Sequence, residues 1–240
     1  MLASSFLFAC MGIVVKELSE NMHSIEIVFF RNLFTVIVLL VSILKFPLKQ
    51  QGGKFHLLVF RGLIGFSALL MFFYCIIPLS LAEAITFSRT APVFTAILAY
   101  IFLHEKLSKK AWFAVFIGFI GILFITKFTG SNLSKLDYLG LASGFCAALA
   151  YTSIRQLGRY YETRSIVLSF ALTGSIFPII FMYISKDIET EYFDFIFAPF
   201  VAPRYEDYIL IFLLGAFATS AQMLMTKSYK MAKAGIIGTI

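Results

Sequence analysis

Charge is scarce in this chain. Only 14% of its 240 residues are Asp, Glu, Lys or Arg, against about 25% in a soluble globular domain. With 60% hydrophobic residues, too little polar surface remains to cover a core, which excludes a water-soluble fold. Cysteine is nearly missing as well. Cys10, Cys75 and Cys146 stand apart in apolar stretches with no Cys-x-x-Cys, so they build no disulfide framework and read as small hydrophobes. No Walker A and no Gly-x-Ser-x-Gly occurs, and His104–Glu105 lacks the second His that a zinc motif places four residues on. An ATP-driven pump is thereby excluded within the chain. His23, His56 and His104 fall at the ends of apolar runs, where they form neither haem ligands nor a buried base. The chain is therefore expected not to be an enzyme and to carry no cofactor and no metal. The opening "MLASSFLFACMGIVV" lacks the basic start of a secretory signal and reads as a first membrane span.

What is present is long apolar runs, 29 phenylalanines among them, and a mean hydropathy of +0.90. A spanning helix needs about 20 mostly apolar residues. That length predicts an all-α, polytopic bundle with spans at Leu2–Val15, Ser24–Leu44, Leu57–Ile77, Ala82–Leu103, Ala111–Thr126, Leu139–Ile154, Ile166–Ser185 and Tyr208–Thr226. A ninth helix is expected from near Ala232, offering only about half a crossing at 1.5 Å per residue. The natural product is accordingly expected to continue past Ile240 through a Pro-bearing span and one more helix. The net charge of +7 is explained by loop lysines and arginines that orient the protein, and no nucleic-acid partner is expected. Thirteen of these residues gather on one side, in groups around Lys45 to Arg61, Lys106 to Lys110, Arg155 to Arg164 and Lys227 to Lys233, against five on the other. The crowded side reads as cytoplasmic, with the N-terminus inside. The acidic, aromatic loop "SKDIETEYFDFIFAPFVAPRYED" then lies outside.

The sequence repeats itself. "LASSFLFACM" at Leu2 matches "LASGFCAALA" at Leu141 in five of ten positions, and an offset of 150 sets Ala82 over Ala232, Ala84 over Ala234 and Gly65 over Gly215. Two five-helix units are expected, residues 1–130 and 137–240, the second incomplete. An odd number of spans per unit turns the second unit upside down. Glu83 on one side and Lys233 on the other fit that inversion. Inverted repeats are a signature of secondary transporters, whose substrate sits near the midplane between the units.

A family resemblance runs over essentially the whole chain. "APVFTAILAYIFLHEKLSKKAWFAVFIGFIGILFI" resembles the end of an EamA domain, with its Pro-bearing helix, an acidic exit at Leu103–Leu107 and a Gly-x-x-Gly span. "IEIVFFRNLF", "FRGLIGFSALLMFFYCIIPLSLAEA" and "AQMLMTKSYKMAKAG" are similar to the same family. The resemblance implies the drug/metabolite transporter superfamily. That means ten helices in two inverted five-helix repeats, moving small metabolites across the bacterial inner membrane, often as exporters.

Four residues stand out as a candidate site. Arg31 and Arg89 each lie seven residues past the start of a span, roughly 10 Å deep at 1.5 Å per residue. A central charge costs about 2.5–3.5 kcal/mol even on the mild insertion scale and usually faces a cavity or the bundle interior. Snorkelling, or pairing with Glu26 and Glu83, is the structural alternative. The second unit has Thr239 over Arg89 and no charge in the "VLSFALT" that corresponds to Arg31, which favours a role at the site. Glu26 sits in the first turn of its helix, either serving the dipole there or joining proton coupling or amine recognition. Pro92 is expected to kink the fourth span, as packing device or as gate. Gly140 and Gly144, Gly62 and Gly65, and Gly118 and Gly121 are expected to let helices approach closely. The resulting expectation is a secondary transporter, an exporter of small polar metabolites such as amino acids, amines or carboxylates, working by alternating access. Its partners are a small-molecule substrate and the lipid bilayer, and it acts as a monomer or homodimer. The alternatives are an uptake carrier for a nucleoside-like metabolite such as S-adenosylmethionine, and a non-transporting channel or scaffold.

Overall fold

The computed structural model describes residues 1–79, 81–105, 108–125, 134–185 and 193–231. Among these the secondary structure is helical throughout, with no strand. The helices are α1 (Leu2–Leu18), α2 (Ser24–Lys45), α3 (Phe55–Ile76), α4 (Leu81–Ser88), α5 (Ala91–Leu103), α6 (Lys109–Ile125), α7 (Lys135–Leu157), α8 (Thr163–Ile184) and α9 (Asp207–Met231). The ninth span expected from Ala232, with Lys233 and Thr239, lies outside the described residues, as do Lys106, Lys127, Lys186 and part of the acidic loop.

Five helical stretches are long and apolar enough to cross a membrane: α2, α3, α8, α9 and Glu83–Leu103, which combines most of α4 with α5. Their outward faces, and that of α6, carry bare apolar side chains such as Leu44, Phe113, Phe116, Phe124, Ile179 and Ile209. So much exposed hydrocarbon is incompatible with water and suits lipid. The chain is a multi-pass membrane protein. α7 is long but less apolar, because its position is interior: Gly140, Ser143, Gly144, Ala148, Ala150 and Ser153 are all buried among other helices. Its start precedes the expected Leu139 because Ser134 and Asp137 form a capping box, the hydroxyl accepting from the Asp137 N–H at 3.3 Å. That polar first turn hides the helix from a hydropathy ruler.

Two corrections bear on function. The fourth span is not one helix with a kink at Pro92. It breaks at Arg89–Thr90, and Pro92 falls in the first turn of α5. In a continuous helix the Pro92 ring would strike the carbonyl four residues back, that of Ser88, and Pro92 has no N–H to offer it. The chain instead turns one step earlier, where the Phe87 carbonyl accepts from the Thr90 N–H at 3.0 Å and the Thr90 hydroxyl at 2.7 Å. Second, Arg61 is not a loop cation. It lies seven residues into α3 and is 2% exposed.

α3 packs against α7 and α8, α2 against α8 and α9, α1 against α9, and α5 against α7. α6 rests on α5 at the rim. Two apolar clusters hold the bundle. One joins Val15, Leu18, Ile25, Val28, Phe73, Ile76 and Leu214; the other joins Leu58, Ile154, Leu157, Ile166 and Tyr229. Along α3 and α9 the two clusters occupy opposite ends of the helix. Between them lies a band of buried polar residues that includes Arg31, Asn32, Thr35, Ser143, Thr219 and Gln222.

Candidate functional site

Beside the polar band lies a half-open cavity of about 240 Å³, lined mostly by apolar side chains and by Arg31, Ser143 and Gln222 of the band. α2 brings Arg31 to its wall, 1% exposed. One Arg31 Nη donates to Asn32 Oδ1 at 3.0 Å, and the other reaches Gln222 Oε1 of α9 at 3.5 Å. Asn32 is itself fixed by donating to the Val28 carbonyl at 2.8 Å. It fits because α8 offers Gly174 opposite, where a Cβ would lie 2.3 Å from the Asn32 amide nitrogen.

α3 brings Arg61 to the same wall. Its guanidinium folds back over Gly65, whose missing side chain makes the room: a Cβ there would lie 2.0 Å from Arg61 Nη1. The Arg61 and Arg31 guanidinium carbons lie 5.0 and 5.2 Å from the centre of the Phe170 ring of α8. Cation–π attraction supplies about 2 kcal/mol when desolvated, less than a desolvated guanidinium demands. Several polar atoms stay unsatisfied. Arg31 Nε, Arg61 Nε and Nη1, and Gln222 Nε2 are buried with no hydrogen-bond partner, as is the Thr226 hydroxyl. No carboxylate lines the cavity among the described residues.

The α4–α5 break forms another part of the lining. Arg89 is exposed there and lines the cavity with Ser88, Pro92, Ser143 and Ala147. The break rests on α7 through the small residues. A Cβ on Gly140 would lie 2.6 Å from the Phe87 ring, and one on Gly144 would lie 2.1 Å from the Thr90 hydroxyl and 3.2 Å from the Phe87 carbonyl. These glycines and Gly118, which meets Val93 of α5, behave as expected, whereas Gly121 meets nothing within 4 Å. Tyr151 of α7 and Tyr229 of α9 complete the lining as a stacked pair, 5.0 Å between centroids.

Of the residues singled out in the sequence, Arg31, Arg89 and Pro92 thus share one cavity and Glu26 does not line it. Glu26 is fully buried at the start of α2. One carboxylate oxygen accepts from the His23 N–H at 2.8 Å, and the other accepts from the Val201 N–H of the loop before α9. It caps a helix and fastens a loop, and it is not the partner of Arg31. Beside Glu26, the His23 imidazole is held above its ordinary basicity, first by its hydrogen bond to that carboxylate. The sequence alone did not reveal Arg61, Phe170, Gln222 and the tyrosine pair as members of the site. A signal existed for Arg61: the Gly65 four residues on is the space a folded-back guanidinium needs on its own helix.

Comparison with known proteins agrees with this architecture. Residues 1–127 match the EamA-like transporter family. An uncharacterized transporter of Helicobacter pylori is 34% identical over 244 residues, covering 100% of this chain and 79% of that protein. The pseudopaline exporter CntI of Pseudomonas aeruginosa is 29% identical over 238 residues, covering 98% of this chain and 78% of that protein. An S-adenosylmethionine uptake transporter of Rickettsia bellii is 26% identical over 228 residues, covering 92% and 72%. With over half its length inside the family match, and a relative at 34% identity aligned along all of it, the chain belongs to the EamA-like transporter family.

Proposed function

We propose that this protein is a secondary transporter that exports a small polar metabolite, an amino acid, amine or carboxylate, across the bacterial inner membrane by alternating access. The observation that carries the reading is the cavity between two apolar clusters, walled by arginines with unpaired donors. A buried unsatisfied donor costs about 1–3 kcal/mol, more when charged. Arg31 and Arg61 are costly to keep unless something enters to meet them.

The helix contacts support two inverted units, residues 1–130 and 137–240. Exchanging α1, α2 and α3 with α7, α8 and α9 turns the pair α1–α9 into α7–α3, turns α2–α9 into α8–α3, and returns α2–α8 to itself. All of these are packed pairs. Rocking about such an axis would expose the cavity to one face and then the other. The distribution of lysine and arginine supports a cytoplasmic N-terminus.

A nucleoside-like substrate taken up as S-adenosylmethionine is the second reading. It is supported by the Tyr151–Tyr229 stack at the cavity and by the named Rickettsia relative. Three arginines at one site disfavour a cationic sulfonium. Proteoliposomes containing the purified protein test the transport reading. Saturable flux, accelerated by the same solute on the far side, is the expected result. Flux that rises linearly without saturation would make it a channel, and no flux of any amino acid, amine, carboxylate or nucleoside would leave a scaffold.

A further inference from the structure

We infer that Arg31 and Arg61 form a built site for an organic anion carrying two negative charges, a dicarboxylate or a phosphate monoester. This names a substrate class for the transporter proposed above and rests on that reading for its physiological meaning, but its test does not depend on transport.

The site lacks a counter-charge. Two guanidiniums, 1% and 2% exposed, lie against one aromatic ring, Phe170, at 5.2 and 5.0 Å. No ion pair to either is present among the described residues, and Glu26 is committed elsewhere. Two buried like charges against one ring are costly without a counter-charge, since a lone buried ion is among the costliest groups a fold can hold. The unpaired nitrogens also have one polarity. Arg31 Nε, Arg61 Nε and Nη1, and Gln222 Nε2 are all N–H donors. Gln222 turns its oxygen to Arg31, which leaves its buried NH₂ without a partner. Such a set of donors describes a receptor for oxygen atoms bearing negative charge. A planar guanidinium offers paired N–H groups, the geometry that carboxylate and phosphate oxygens match. Arg89 lines the same cavity. A monoanion would leave one guanidinium bare, and an amine would be repelled.

The glycines point the same way. Gly65 and Gly174 are cut away to seat Arg61 and Asn32, the neighbours of the site. An arginine wanted only for packing needs no such clearance on its own helix, and leucine would serve better.

The test is binding to the purified full chain in detergent, by calorimetry, with succinate, glycerol 3-phosphate, acetate, succinamide and putrescine. Succinate or glycerol 3-phosphate is expected to bind at least tenfold more tightly than acetate, with succinamide and putrescine not bound. Preference between the two dianions tells carboxylate from phosphate. Arg61→Met is expected to abolish that binding while keeping or raising the melting temperature, because it removes an unmet charge and fills the same volume. Arg61→Lys should recover part of the affinity. If Arg61→Met fails to fold, Gln222→Leu provides the same comparison with no charge removed and should weaken dianion binding at least threefold. Dianions bound no better than acetate, no dianion bound at all, or full dianion affinity in a folded Arg61→Met protein would each overturn the inference. Dianion binding without flux in liposomes would retain the site and refute the transport reading instead.

Discussion

Arg89 and Glu26 illustrate how the same kind of residue, a charge inside an apolar span, takes opposite parts. Arg89 faces the cavity at a helix break, with no side-chain hydrogen-bond partner among the described residues. Arg89→Ala is therefore expected to weaken ligand binding at least tenfold and leave the detergent melting temperature nearly unchanged. Arg89→Lys should rescue only in part, since the ammonium keeps the charge and loses the planar fork. Glu26 faces backbone N–H groups of His23 and Val201. Glu26→Ala is expected to cost about 1–2 kcal/mol, as lost helix caps do, with ligand affinity intact. Calorimetry and thermal melts on both variants check the pair; reversed outcomes would exchange their roles. Arg31 and Arg89 were legible in the sequence because an arginine within a lipid-spanning run is too costly to persist without a role, and Pro92 because a proline disturbs any such run. Arg61 was not, because it follows a basic loop by a few residues and a count of loop charge absorbs it. Glu26 was legible as a helix-dipole residue, but the loop it fastens comes from far along the chain, at Val201.

At the scale of elements, the α4–α5 break places both Arg89 and Pro92 on the cavity wall. It is held by α7: Thr90 seats on Gly144 and Phe87 on Gly140. Gly144→Ala would set a Cβ 2.1 Å from the Thr90 hydroxyl, overpacking worth about 1–3 kcal/mol. Adding Thr90→Ala should recover part of the loss, which a double-mutant cycle of melting temperatures reads directly. Pro92→Ala is expected to matter little. A proline in a first turn interrupts no interior helical bond, and the glycines keep the break where it is; its cost should stay below about 1 kcal/mol, the scale of unfolded-state entropy. Loss of binding in Pro92→Ala would mean the ring itself shapes the wall. Hydropathy periodicity could locate this span but not its break, since one proline is compatible with a kink in the helix or a fresh start one turn before it. Deciding between them takes the partner surface, the Gly140–Gly144 face of α7. The sequence showed those glycines as close-approach residues without saying what approaches.

For the whole molecule, two apolar clusters toward opposite ends have a polar band and a cavity between them, which we propose is the chamber that binds the substrate. Membrane insertion and the helical character of the chain were legible from composition, because lipid constrains sequence so strongly, and the family was legible from the motifs that resemble it. The cavity's chemistry came from tertiary contact among α2, α3, α8 and α9, where residues from Arg31 to Gln222 meet across 191 positions of chain. The central claim, that this chamber opens alternately to the two faces, has a direct test. Ala147 lines the cavity, and Ala147→Cys can be made in a protein whose Cys10, Cys75 and Cys146 are replaced by alanine. A membrane-impermeant maleimide is then applied to right-side-out and to inside-out vesicles. The account predicts labelling from both faces, slowed from both by a bound ligand. Labelling confined to one face, with and without ligand, would contradict it.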